Sequence, residues 1–212
     1  MTSTAFLLLA MTLAVAVTDW GAVVSGRKGV EYVAKPLTMV LLIGVALSLD
    51  VSSEAVLGAF VVALVFSLVG DVFLMLPGEQ WFVFGLAAFL AGHIAYIVGL
   101  VMSGVSLPAL LVGLIAVTVS LLAVGIRIIG AVRRSDASEL FGPVVAYIVV
   151  ISLMVTCAVG TRNGFAIGGA ALFYTSDALI AWNRFVHEHS WGRLAVMTTY
   201  HLGQIGLVLS LI

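Results

Sequence analysis

Long apolar runs alternate along the chain with short stretches rich in charge, proline and glycine. The first run extends from Thr4 to about Val24 and ends at Ser25-Gly26-Arg27-Lys28-Gly29. The second starts at Lys35-Pro36 and reaches Leu49, where Asp50 to Glu54 interrupts it. The third runs from about Ala55 to Leu76 and stops at Pro77-Gly78-Glu79-Gln80; the fourth is Trp81 to Met102. The fifth starts near Pro108 and ends by Arg127, the sixth covers about Leu140 to Val159, and the seventh about Phe165 to Trp182. The eighth begins after Trp191-Gly192-Arg193 and reaches Ile212. Most runs approach the roughly 20 residues of a membrane-spanning helix. None shows the alternating pattern of a membrane barrel. The pattern predicts an all-α, polytopic membrane bundle of eight transmembrane helices, forming one domain over residues 1–212.

Composition agrees with a lipid solvent. Hydrophobic residues make up 63% of the 212, and charged residues 9%, against about 25% in soluble domains. A soluble fold of this size cannot hide so much apolar surface, and a net charge of −1 leaves no footprint for nucleic acid. The single cysteine, Cys157, excludes an internal disulfide and a cysteine-based metal cluster. Basic residues set the orientation. Stretches after the first, third, fifth and seventh runs hold Arg27, Lys28, Lys35, Arg127, Arg133, Arg134, Arg184 and Arg193, whereas the other side holds Arg162 alone. That asymmetry puts the former loops in the cytoplasm and both termini outside it. Ala14-Val15-Ala16 resembles a cleavage site, but no Lys or Arg precedes the run and the run continues past it, so the first helix is expected to be retained.

Ionisable groups inside a bilayer are expensive and mark function. Asp71, His93, Asp177 and His201 lie within runs, and Asp19 lies near the end of the first. Asp71 sits roughly 9 Å and Asp177 roughly 10 Å from the cytoplasmic ends of their helices, at 1.5 Å per residue. Tyr200, His201 and Gln204 come to a similar depth, and His93 comes near the midplane. Helical phase places Tyr174, Asp177 and Arg184 on one face, Phe89, Gly92, His93 and Tyr96 on another, and Met197, Tyr200, His201 and Gln204 on a third. Two carboxyls at one depth are expected to face one cavity from neighbouring helices, sharing a proton so that one is acid and the other base. The alternative is structural, with Asp71 paired to Lys35 and Asp177 to Arg184. Asp19, Arg133 and Arg134 read as interface or loop charges. His187-Glu188-His189 lacks metal-ligand spacing, and no metal or cofactor is expected.

The motifs themselves point to a family. Gly70-Asp71-Val72-Phe73-Leu74-Met75-Leu76-Pro77 resembles the GDxxLxxP element of YhhN-type membrane proteins. Gly92-His93-Ile94-Ala95-Tyr96, then Ser176-Asp177 with Asn183-Arg184-Phe185, then Tyr200-His201 with Gln204 follow in that family's order, and Lys35-Pro36 matches its Lys-Pro at a helix start. The terminal block departs from the usual Tyr-Tyr-x-Ala-Gln at His201 and Gly203.

The resemblance implies a lysoplasmalogenase-like hydrolase in a bacterial plasma membrane. Its substrate would be a lysophospholipid carrying a vinyl ether, cleaved to a fatty aldehyde and glycerophosphoethanolamine or glycerophosphocholine. Asp71 and Asp177 would be catalytic. Lys35, His93, Tyr96, Tyr174, Asn183, Arg184, Tyr200, His201 and Gln204 would bind or support, with Lys35 or Arg184 meeting the phosphate. Intramembrane acids also build proton-coupled carriers, although no inverted repeat is evident.

Overall fold

A computed structural model describes all 212 residues and contains helices without strands. The helices are α1 (Ser3–Ser25), α2 (Lys28–Leu47), α3 (Glu54–Met75), α4 (Glu79–Met102), α5 (Leu107–Ser120), α6 (Ile126–Arg134), α7 (Phe141–Thr161), α8 (Gly164–Phe185) and α9 (Gly192–Leu209). A π-helical turn, Leu121–Gly125, joins α5 to α6 in one continuous span. Seven spans are long and apolar enough to cross a membrane. The more polar α9 packs along α8 as an eighth, so the molecule is an integral membrane bundle. Side chains such as Phe6, Leu7, Leu111 and Ile115 are exposed, as lipid-facing groups must be.

Polar contacts tie the helix ends into two faces. On one face, Thr2 Oγ1 donates to the carbonyl of Ser48 and Asn163 Nδ2 to that of Ser210. On the other, Tyr32 donates to the Met75 carbonyl, Arg184 pairs with Glu79, and Arg193 with Glu31. The basic residues outside the core therefore gather on one face, with Arg162 opposite.

Two close pairings build the core. A methyl added at Gly169 would lie 2.5 Å from the backbone nitrogen of Leu207, and one at Gly203 would lie 2.8 Å from that of Phe173, so α8 and α9 touch backbone to backbone. Between α3 and α4 the missing side chains of Gly70 and Gly99 make room for the rings of Phe89 and Phe60.

Two boundaries differ from the sequence reading. α2 begins at Lys28, so Lys35-Pro36 lies inside the helix rather than at its start, and Lys35 is buried. The stretch from Lys28 to Ala34 looks like loop, but Glu31 is held by Arg193 and the stretch extends the helix by about two turns. The fifth span likewise continues past Arg127 to Arg134.

Candidate active site

Asp71 ends a run in which Ser67, Gly70 and Asp71 face the interior of the bundle. Its Oδ1 lies 3.1 Å from Lys35 Nζ on α2. Its Oδ2 accepts a hydrogen bond of 2.7 Å from the Tyr200 hydroxyl on α9. The pair is thus neutral as a unit, which is how a buried charge survives in an apolar medium. Next to it, His201 Nδ1 accepts from Trp20 Nε1 at 3.1 Å. Tyr96 donates to Gln204 Oε1 at 2.5 Å, so these two lock α4 to α9.

Asp177 stands apart from this group. Its Oδ2 accepts from the Tyr147 hydroxyl at 2.6 Å and lies 3.5 Å from His93 Nε2. His93 is oriented by its own helix, where Nδ1 sits 2.6 Å from the Phe89 carbonyl. The expectation that the two aspartates face one cavity from neighbouring helices is not met. α3 packs mainly on α4 and α2, and α8 mainly on α9 and α7. The rings of Phe89, Phe173 and Tyr200 fill the space, with centroids 5.3 to 6.1 Å apart. Aromatic volume there separates what helical depth alone brings level.

Asp177 lines a cavity, whereas Asp71 is buried and reaches one only through Lys35. Asp177 lies in a narrow slot of about 70 Å³ whose other lining is apolar apart from Tyr147 and Tyr174; Leu86, Phe89, Val144 and Ile151 form much of it. Tyr174 is held there by Ser120 at 3.3 Å. Lys35, the partner of Asp71, lines a polar vestibule of about 650 Å³ on the basic face, with Lys28, Glu31, Asn183, Glu188 and Arg193. Leu74, Phe82 and Ile180 line both spaces and form the seam between them.

Arg184 does not pair with Asp177. Its guanidinium holds Glu79 at 2.7 Å and stacks 3.8 Å above the ring of Phe82, at the seam. Asn183 accepts from the His189 backbone and fixes the turn into α9. Sequence reasoning did not single out Tyr147, which has no motif around it, nor Glu31. Asp19 is fully buried rather than an interface charge, and neither of its carboxyl oxygens has a hydrogen-bond partner. Its position in an apolar run was the one signal available.

A family model described as the YhhN family matches residues 30–211. The protein named lysoplasmalogenase TMEM86B in Homo sapiens is 31% identical over 148 residues, covering 70% of this chain and 61% of that protein. The Sus scrofa protein of that name is 32% identical over 148 residues, with the same coverage of 70% and 61%. The Mus musculus one is 38% identical over 68 residues, 32% of this chain and 30% of that protein. The chain therefore spans less than two thirds of the length of these relatives. No solved structure matches it. With the family's Asp71, His93, Asp177 and Tyr200 elements gathered in the core of an all-helical membrane bundle, and the family model matching from α2 to the end of the last helix, the chain belongs to the YhhN family.

Proposed function

We propose that this protein is a lysoplasmalogenase-like hydrolase that cleaves the vinyl ether bond of a lysophospholipid. The observation that carries the reading is the meeting of a polar vestibule and an apolar slot at Leu74, Phe82 and Ile180. An amphiphile with one chain matches that division: headgroup in the vestibule, reacting end of the chain in the slot. The name shared by the relatives supplies the substrate class. Lys35, Arg184 and Arg193 already hold acids. Lys28 is the vestibule cation without an ion pair and is assigned to the phosphate.

The vinyl ether of such a lipid joins glycerol oxygen to chain, so it lies at the seam. Asp177, on the chain side and without a cation partner, delivers a proton to the outer vinyl carbon. The alkene electron pair forms the new C–H bond, and the ether oxygen shares its lone pair to give an oxocarbenium ion. Water from the vestibule adds to the inner carbon, and its proton passes to Asp71 by way of Lys35, which lines the vestibule and holds that carboxylate. The hemiacetal then collapses to fatty aldehyde and the headgroup alcohol. General acid–base help of this kind is worth about 10²–10⁴-fold.

The test is aldehyde release by the purified protein in detergent. Lysoplasmalogen is expected to turn over without any gradient, and an acyl lysophospholipid to remain intact. Absence of aldehyde under those conditions, with gradient-dependent uptake in vesicles, would instead make the protein a carrier. The basic face is assigned to the cytoplasm by its excess of Lys and Arg. A fluorescent reporter that folds only in the cytoplasm, fused after Ile212, is therefore expected to stay dark; a bright fusion would reverse the orientation.

A further inference from the structure

His93 and Asp177 present a proton-counting problem. The Phe89 carbonyl can only accept, so His93 Nδ1, 2.6 Å from it, carries the ring proton. A neutral imidazole then has a bare Nε2. That nitrogen is buried, has no hydrogen-bond partner, and points at Asp177 Oδ2 across 3.5 Å. Oδ2 is itself already an acceptor, taking the Tyr147 hydroxyl proton at 2.6 Å. A lone pair and a carboxylate oxygen thus face each other in an apolar site, where unmet acceptors are costly.

No neighbouring hydroxyl or amide makes a hydrogen bond to Nε2, although Ser67 Oγ, Ser152 Oγ and Gln204 Nε2 are also buried without partners. Phe173 and Tyr147 pack around His93, with ring centroids 4.7 and 5.3 Å away. α3 contributes Asp71 with Lys35 bound to it, and α9 contributes Tyr200, whose hydroxyl is spent on Asp71. α8 contributes Tyr174, whose oxygen accepts from Ser120 and whose hydroxyl makes no bond to Nε2, and the wall from the π turn into α6 is Val124, Gly125 and Ile128.

We propose that His93 and Asp177 hold one exchangeable proton between them and act as a single acid, with His93 the positioning residue that keeps the proton on the side of Asp177 facing the slot. One proton resolves the geometry from either end, as O–H···N or as N–H···O. The proton count stands on the geometry alone; its use in hydrolysis rests on the function proposed above. In that use, the proton leaves the dyad to form the C–H bond, and the water that adds to the oxocarbenium ion returns one proton to the protein. That proton arrives at Asp71, so the dyad is restored only when solvent water takes a proton from Asp71 and gives one back to the dyad between cycles; no oxidant or reductant is involved.

The experiment needs no turnover. Protein labelled with ¹⁵N-histidine, reconstituted in lipid at neutral pH, is read by solid-state NMR. Infrared difference spectra of wild type against Asp177→Asn report the carboxyl group, and His93→Asn assigns the ring signal. Two results support the proposal. One is a protonated Asp177 carboxyl beside a hydrogen-bonded Nε2; the other is an Asp177 carboxylate beside a ring protonated on both nitrogens. In the first case His93→Gln is expected to move the Asp177 carbonyl band, which a merely structural histidine would leave in place. An ionised Asp177 together with a bare Nε2 in wild type overturns the proposal. A protein that shows the shared proton but releases no aldehyde would keep the dyad and discard the hydrolase.

Discussion

Asp177→Asn is expected to cut aldehyde release by about 10²–10⁴-fold while leaving the protein folded. The amide has the size of the carboxyl, and its oxygen still accepts the Tyr147 hydroxyl that Asp177 takes at 2.6 Å. What it lacks is an acidic proton to give to carbon. If Asp71 and Asp177 serve one reaction, Asp71→Asn should lose a comparable factor and the double variant little more than either, because groups acting in one step are not additive. The measurement is steady-state aldehyde release per mole of folded protein, with the folded fraction of each variant read from its thermal unfolding in detergent. Turnover near wild type in Asp177→Asn would remove this carboxyl from the chemistry and leave Asp177 a structural partner of Tyr147.

Asp71→Asn is the more dangerous substitution for the fold. It strands Lys35, which is 5% exposed and 3.1 Å from its carboxylate. Removing one partner of a buried ion pair costs about 3–5 kcal/mol, whereas removing both charges is often nearly neutral. A low yield and a large fall in unfolding temperature are therefore expected for Asp71→Asn alone. Adding Lys35→Met should restore much of the stability, since the carboxamide keeps an acceptor for Tyr200, but should not restore turnover. Thermal unfolding and aldehyde release on the same samples separate the two effects. An Asp71→Asn protein as stable as wild type would show that the pair contributes little to the fold.

These two acids illustrate what the chain discloses by itself. That Asp71 and Asp177 lie inside the bundle follows from their place in apolar runs, because lipid leaves a carboxyl nowhere else to go. The run pattern likewise discloses the spans, since a helix long enough to cross lipid has to be apolar nearly throughout. Partner choice is another matter. Arg184 lies two helical turns from Asp177 yet reaches Glu79, and Asp177 is met by Tyr147, thirty residues away. Spacing reports which residues share a face; it is silent on which face of another helix comes opposite. The same gap hides the start of α2. Glu31 reads as a loop residue until Arg193, from the far end of the chain, supplies its charge partner.

The slot is walled on one side by Val124, Gly125 and Ile128, which belong to Leu107–Arg134, the least buried of the apolar spans. For the hydrolysis proposed, a site behind so thin a wall draws substrate from the bilayer itself, and supply becomes two-dimensional. The rate then follows the number of substrate molecules per lipid and not per litre. Mixing in inert lipid slows the reaction, while adding water at a fixed lipid ratio does not. The aldehyde stays in the leaflet, and the headgroup alcohol leaves by the vestibule into water. The products part into different phases as the bond breaks, and this separation opposes the reverse reaction without any input of energy.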